Sequence, residues 1–268
     1  MGTNSDQSAF FCTDEAEITI IHNGRLVTIP ADHSKHDAIW MALQNGLYDC
    51  AILMSDRHEQ LAQEVAKYSI DGLELSKTID GKILFNNRRM SLHVGEKAIE
   101  LLDNNMPLRP LLLFLRNLQQ NPDMDVQEDL LNFLAVNDFA IDNKGMVIAW
   151  KKVLKLDANH YVDQWTKQLD YTPPKTLTMP RECVEKDSSN SCGRGFHFAT
   201  WRYTYNYGGS TVVELQVHPK HVVSIPRHER EKGRCSDMKI VREIPDWEQY
   251  NDIPPSSPSI FQVSRFTG

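Results

Sequence analysis

Long apolar runs are missing from this sequence. The longest, Ala38-Ile39-Trp40-Met41-Ala42-Leu43, falls far short of the roughly 18 residues a membrane-spanning helix needs. The opening residues carry neither the basic stretch nor the apolar core of a secretory signal. Cysteine is sparse. Cys12, Cys50, Cys183, Cys192 and Cys235 are an odd five, scattered without a C-x-x-C pair. That usage fits a reducing compartment rather than a disulfide scaffold. Cys183, Cys192, His197 and Cys235 could in principle meet as a zinc set, but their spacing matches no compact knuckle, so no metal and no cofactor are expected. There is no G-x-S-x-G elbow. Gly193-x-Gly195 lacks the lysine and serine of a Walker loop and the third glycine of a dinucleotide fingerprint. Positive charge is also in deficit. Lys and Arg number 29 against 36 Asp and Glu, for a net charge of -7. That balance argues against a general nucleic-acid coat and leaves a local basic face open. Residues 181–243 hold eleven basic against eight acidic side chains, whereas residues 1–60 hold three against nine.

What is present suffices for a globular core. Hydrophobic residues make up 41% and charged residues 24% of 268 positions, a mixture that folds without staples into one or two domains. The patterning predicts an α+β protein. An N-terminal β-hairpin and meander with a short helical bundle precedes a smaller mixed C-terminal domain. The expected divisions are a mobile tail at 1–16, an N-terminal domain at 17–153, an irregular linker at 154–175, a C-terminal domain at 176–245 and a second tail at 246–268. The hairpin signal is Ile/Val/Thr-rich sequence on both sides of Asn23-Gly24, a dipeptide that tolerates positive φ. Asp80-Gly81 and Asn86-Asn87 punctuate three short β-like runs. Residues 94–137 show helical spacing interrupted by Pro107, Pro110 and Asn121-Pro122-Asp123. A further hairpin is expected around Asn143-Lys144-Gly145, with Trp150 as a core plug. Thr211 to Val217 reads as a strong strand. Asp157, Asn159, Asp163, Asp170 and Pro173-Pro174 weaken the pattern before it.

The densest chemistry is Cys192-Gly193-Arg194-Gly195-Phe196-His197-Phe198-Ala199. Two glycines allow a sharp turn, and strand alternation sets His197 opposite Phe196 and Phe198. Cys192, Arg194, His197, Arg202, Tyr203 and Tyr207 form the candidate binding surface. The arginines offer forked donors for carboxylate or phosphate, and the tyrosines supply rigid amphipathic area. No catalytic residue is assigned. A Cys192–His197 pair is conceivable, but no Asn or Asp partner is evident. The segment from Gly195 to Ala199, the tyrosines at 203, 205 and 207, and Glu214 also resemble the central segment of ADP-ribosyltransferases. That likeness implies, as an alternative, an enzyme or degenerate enzyme acting on a nucleotide, with Glu214 as its acidic residue.

A second likeness covers more of the chain. Met179-Pro180-Arg181, Cys192-x-Arg194-Gly195-x-His197 and Val217-His218-Pro219-x-x-Val222-Val223-Ser224-Ile225-Pro226 resemble the rIIB proteins of T-even-like bacteriophages. So do Phe133-Leu134-Ala135-Val136-Asn137-Asp138 and Ala149-Trp150-Lys151-Lys152-Val153 upstream. The family leucine before the histidine is Phe196 here. The family's opening helix-turn-helix-like segment is replaced by an acidic stretch and a β-hairpin, so contact with nucleic acid does not carry over. The resemblance implies a non-enzymatic phage early protein. It would act in the host cytoplasm with an rIIA-like partner, influence lysis timing and counter host exclusion systems. Association with the inner membrane would be peripheral, through a partner. The resemblance supplies no catalytic residues.

Overall fold

The computed structural model describes residues 10–13, 17–22, 25–33, 35–55, 57–77, 83–86, 88–89, 92–104, 106–136, 140–251 and 260–262. The protein is α+β. It divides into two compact units, Met1–Met90 with Gly95–Met106, and Ser91–Val94 with Pro107–Gly268. Among the described residues no helix is long and apolar enough to cross a membrane.

The first unit opens with an antiparallel sheet of β1 (Phe10–Thr13), β2 (Glu17–His22) and β3 (Arg25–Pro30) in sequential order. Alternation along β2 buries Ile18 and Ile20 and leaves Ile21 outside, as a two-residue period requires. Helices α1 (His36–Gln44), α2 (Tyr48–Ser55) and α3 (Arg57–Ala66) follow. Ile39, Leu43 and Ala51 join Ile18, Ile20 and Ile29 in one core, each buried isoleucine contributing about 1.5–3 kcal/mol. Phe11 meets Trp40 edge to face at 5.8 Å, so strand β1 lies inside the stretch expected to be a mobile tail. The small meander is β4 (Leu75–Lys77), β5 (Ile83–Phe85) and β6 (Arg88–Arg89). Asn86, named as a turn residue, has a positive φ of 46°; Asn23-Gly24, Asp80-Gly81 and Asn87 lie outside the described residues. Helix α4 (Leu92–Asp103) follows the meander.

The second unit begins with α5 (Arg109–Gln119) and α6 (Met124–Val136). The break between them falls at Asn121-Pro122-Asp123, where Asp123 Oδ1 accepts from the Asp125 and Val126 amides. Then come β7 (Ala140–Asp142), β8 (Val147–Asp157), β9 (His160–Val162), β10 (Lys175–Thr178), β11 (Phe196–Ala199), α7 (Trp201–Tyr205), β12 (Thr211–Val217), β13 (Val222–Ser224), β14 (Lys232–Cys235), β15 (Asp237–Ile244) and β16 (Ile260–Gln262). The strands form one antiparallel sheet whose main path runs β10-β15-β12-β8-β11-β14-β13. The turn from β7 to β8 is the expected one. Gly145 has φ +73°, and a Cβ there would sit 2.3 Å from the Phe114 nitrogen. Asp142 Oδ1 accepts from the Lys144 and Met146 amides. Trp150 is the predicted core plug, edge to face with Trp201 at 5.7 Å.

Strand β8 decides the architecture. One edge pairs continuously with β12, Val147 to Val153 against Val217 to Thr211. The other edge is shared by three strands. β7 takes Val147 and Ile148, β11 takes Trp150, and β9 takes Leu154 to Asp157. Among the described residues, positions 151–153 have no strand partner on that edge, and the sheet splits there.

Three expected boundaries need correction. β8 runs through positions 153 and 154, so no division falls there. Residues 154–175 belong to the second unit. They hold β9 and a loop tied by its own carboxylates, because side-chain acceptors replace the periodicity that a sequence reader looks for. The C-terminal stretch is not simply a tail either. Trp247 and Tyr250 pack on the Trp150–Trp201 cluster, and β16 pairs with β7.

Candidate functional site

A cavity of about 700 Å³ opens where the sheet splits. Its walls come from segments far apart in sequence: Lys151 on β8, the loop after β9, the turn before β11, His197 on β11, the Tyr203–Tyr207 segment, and Lys232 on β14.

The turn before β11 is held by a residue that the sequence reading missed. Arg234 is wholly buried. Its Nε donates to the Glu185 carbonyl at 3.0 Å, Nη1 to Asn190 O at 2.7 Å, and Nη2 to Asp187 O at 2.7 Å and Ser224 Oγ at 2.8 Å. One guanidinium thus laces residues 185–190 to the sheet, and the Glu185 amide closes the loop on the Arg194 carbonyl at 2.8 Å. Gly195 completes the turn at φ +143°, with Val184 Cγ1 only 2.7 Å from where a Cβ would lie. Here the glycine is needed on both counts, backbone conformation and space.

Alternation on β11 is as expected. Phe196 and Phe198 are buried, Phe198 edge to face with Phe133 at 6.1 Å, and His197 faces the cavity. The imidazole makes no side-chain hydrogen bond among the described residues. Burial, then the charges of Lys151, Lys232 and Arg234, lower its pKa to about 3. It is therefore neutral at physiological pH, with one donor and one acceptor nitrogen. Lys151 is perturbed the same way. Burial brings its ammonium down to about 8 against the opposing pull of Asp163, and its Nζ lies 5.3 Å from the Tyr171 ring centre. Lys232 pairs with Glu229 and donates to Tyr203 Oη at 3.3 Å. Lys152 is occupied elsewhere, donating to the Tyr205 carbonyl at 3.0 Å and lying over Trp247.

The loop after β9 is organised by Asp163. Its carboxylate accepts from the amides of Thr166, Gln168 and Leu169 and from the Thr166 hydroxyl. Burial alone would raise its pKa, but these donors outweigh that and hold it down to about 2. Among the described residues it is the one carboxylate lining the cavity, and its oxygens are filled. The loop presents Trp165, which is 79% exposed and fixed by donation of its indole N–H to Tyr207 Oη at 2.9 Å. Tyr207 stacks on Tyr203, ring centres 5.6 Å apart and planes within 22°.

Five of the six expected surface residues line this cavity: Cys192, Arg194, His197, Tyr203 and Tyr207. Arg202 does not. It sits on α7 with its side chain 86% exposed, 3.6 Å from Glu231. Glu214, the acidic residue of the ADP-ribosyltransferase likeness, is also not in the cavity. It is buried in β12 and accepts from both Nε and Nη2 of Arg242, at 3.2 and 2.9 Å, because Arg242 is its register partner on β15. Cys235 is buried, its thiol donating to Phe196 O at 3.5 Å, while Cys192 is exposed. Among the described residues no three His, Cys, Asp or Glu side chains are grouped to hold a metal. Lys151, Asp163, Trp165, Tyr171 and Arg234 were missed from sequence. The one signal available was Lys151-Lys152 following the apolar stretch Val147 to Trp150, a charged pair where a buried strand would continue apolar.

The family described as bacteriophage T4 protein rIIB matches residues 3–253. The chain belongs to the rIIB family. Protein rIIB of Enterobacteria phage T4 is 28% identical over 240 residues, covering 85% of this chain and 75% of that protein. No solved structure matches. In this rIIB-type chain both strongest sequence likenesses fall in the second unit: Ala149 to Val153 lies on β8, and residues 192–197 form the turn into β11.

Proposed function

We propose that this chain acts in the infected cell as an rIIB-type interaction factor. It would influence lysis timing and counter host exclusion defences, working with an rIIA-like partner in the host cytoplasm or, through that partner, at the inner membrane. Family membership over nearly the whole chain supports the reading. The observation that carries it to a surface is the cluster of exposed Arg194, Cys192 and Trp165 at the cavity, with Arg202 exposed on the following helix. Exposed arginine and tryptophan of this kind anchor protein contacts. The enzymatic alternative loses its acid, because Glu214 is sequestered by Arg242 and the oxygens of Asp163 are filled.

The test is affinity capture of the full chain from infected cells, with mass spectrometry of what it retains. Recovery of an rIIA-like protein, reduced by Arg194→Ala together with Arg202→Ala at an unchanged melting temperature, is the expected result. Undiminished capture by the folded double variant would place the surface elsewhere. NAD consumption by the purified chain, abolished by His197→Ala, would replace this reading with the enzymatic one.

A further inference from the structure

We infer that the cavity beside β8 is a binding site for a nucleoside phosphate. Four observations converge on that chemistry. First, about 700 Å³ lies within the roughly 300–1,000 Å³ of small-molecule pockets. Second, the cavity is cationic in balance, with Lys151, Arg194 and Lys232 on its walls against the single carboxylate of Asp163. Among the described residues neither Lys151 nor Arg194 makes a side-chain hydrogen bond or ion pair, and the lone lining carboxylate is already saturated. A phosphate supplies what a lysine point charge and an arginine fork lack. Third, the walls offer ring surface. Tyr203 and Tyr207 are stacked, and Trp165 is pinned by Tyr207 while largely exposed. A free tryptophan would bury itself; one held open at a cavity is a platform for a planar ring. Fourth, polar groups are left waiting. Thr204 is 1% exposed, and its hydroxyl and Gln164 Oε1 are buried with no hydrogen-bond partner among the described residues. Such groups cost stability unless something pairs with them, and the edge of a nucleobase or a ribose hydroxyl would do so. The neutral imidazole of His197 adds one donor and one acceptor. The inference concerns binding and includes no group transfer.

The inference stands apart from the partner reading: a chain that captures its partner but binds no nucleotide overturns only this one. The experiment is calorimetric titration of the purified full chain with AMP, ADP and NAD, and with adenosine and inorganic phosphate as the separate halves. At least one nucleotide is expected to saturate at one per chain, more than about tenfold tighter than either half. Lys151→Met should weaken it by about tenfold or more, the loss of one charge-assisted contact, and Trp165→Ala by several-fold. Where Lys151→Met fails to fold, acetylation of the wild-type chain replaces it, and ADP should protect Lys151 selectively. Absence of saturation by all three nucleotides at millimolar concentration overturns the inference. So does phosphate alone binding as tightly, a short oligothymidylate binding more tightly than ADP, or Lys151 remaining equally reactive with ADP bound.

Discussion

Replacing Arg234 with methionine removes the charged fork while keeping an apolar stem of similar reach. The structure fixes what is lost: three carbonyl acceptors on residues 185–190 and the Ser224 hydroxyl, at 2.7 to 3.0 Å. Hydrogen bonds from a charged donor are worth about 1.5–3 kcal/mol each. The full sum would not appear, because the freed carbonyls can turn to water once the loop moves. Acceptors left buried without a donor cost about 1–3 kcal/mol each, so with part of them rehydrated the expected destabilisation is about 3–5 kcal/mol. For a unit of this size, each kcal/mol shifts the melting temperature by about 2–4 °C, so a fall of about 10 °C is expected. Calorimetry reads that shift. Hydrogen exchange reads its location, because the Val184, Glu185 and Asn190 amides are bonded to Arg181, Arg194 and Asp187 carbonyls and should lose protection first. A melting temperature within about 2 °C of wild type, with those amides still protected, would refute the claim that Arg234 builds the cavity wall. Arg234→Lys should fall between, since an ammonium keeps the charge but cannot reach all four acceptors.

Gly195→Ala, strained at φ +143° and against Val184, should cost about 1–3 kcal/mol in urea denaturation. Gly193→Ala should also destabilise, since the Cβ would lie 2.6 and 2.7 Å from Glu185 Cγ and Cβ, and the Glu185 backbone is held by Arg234 and Arg194. The His197 ring resonances should stay flat between pH 5 and 8, because its pKa is down at about 3. An imidazole that binds a proton more readily unfolded than folded makes stability fall as pH drops from about 6.5, and His197→Gln should remove part of that acid sensitivity. Lys151 works in the same sense at the other end. With its folded pKa at about 8, the unfolded chain holds the extra proton between about 8 and 10.4, so stability rises with pH across that window. Lys151→Met should flatten the rise in pH-dependent denaturation. Arg242→Met, which strands the buried Glu214 carboxylate, should destabilise more than Glu214→Gln, which leaves Arg242 able to reach water. Equal losses in paired thermal melts would contradict this.

The local parts of this protein are legible in its sequence. Asn143-Lys144-Gly145 announces the β7–β8 turn because a positive-φ glycine and an Asp142 acceptor act over four residues. Asn121-Pro122-Asp123 ends one helix and caps the next by the same short-range logic. The strands at Ile18-Thr19-Ile20 and at β12, and the placing of Trp150 in the core, follow from β-branched and apolar composition alone. Family membership was readable too, since turn and strand signatures recur in order along one chain. The tertiary structure decided the rest. Lys151 reads as an ordinary lysine until β8 loses its partner between β11 and β9. Asp163 and Asp170 look like linker residues, yet the first gathers three backbone amides and the second holds Thr172 and Lys175. Arg234 grips a loop more than forty positions away, a separation that leaves no period in the sequence. A split in a sheet belongs to the pairing of strands rather than to any one of them, and the cavity exists only because of that split.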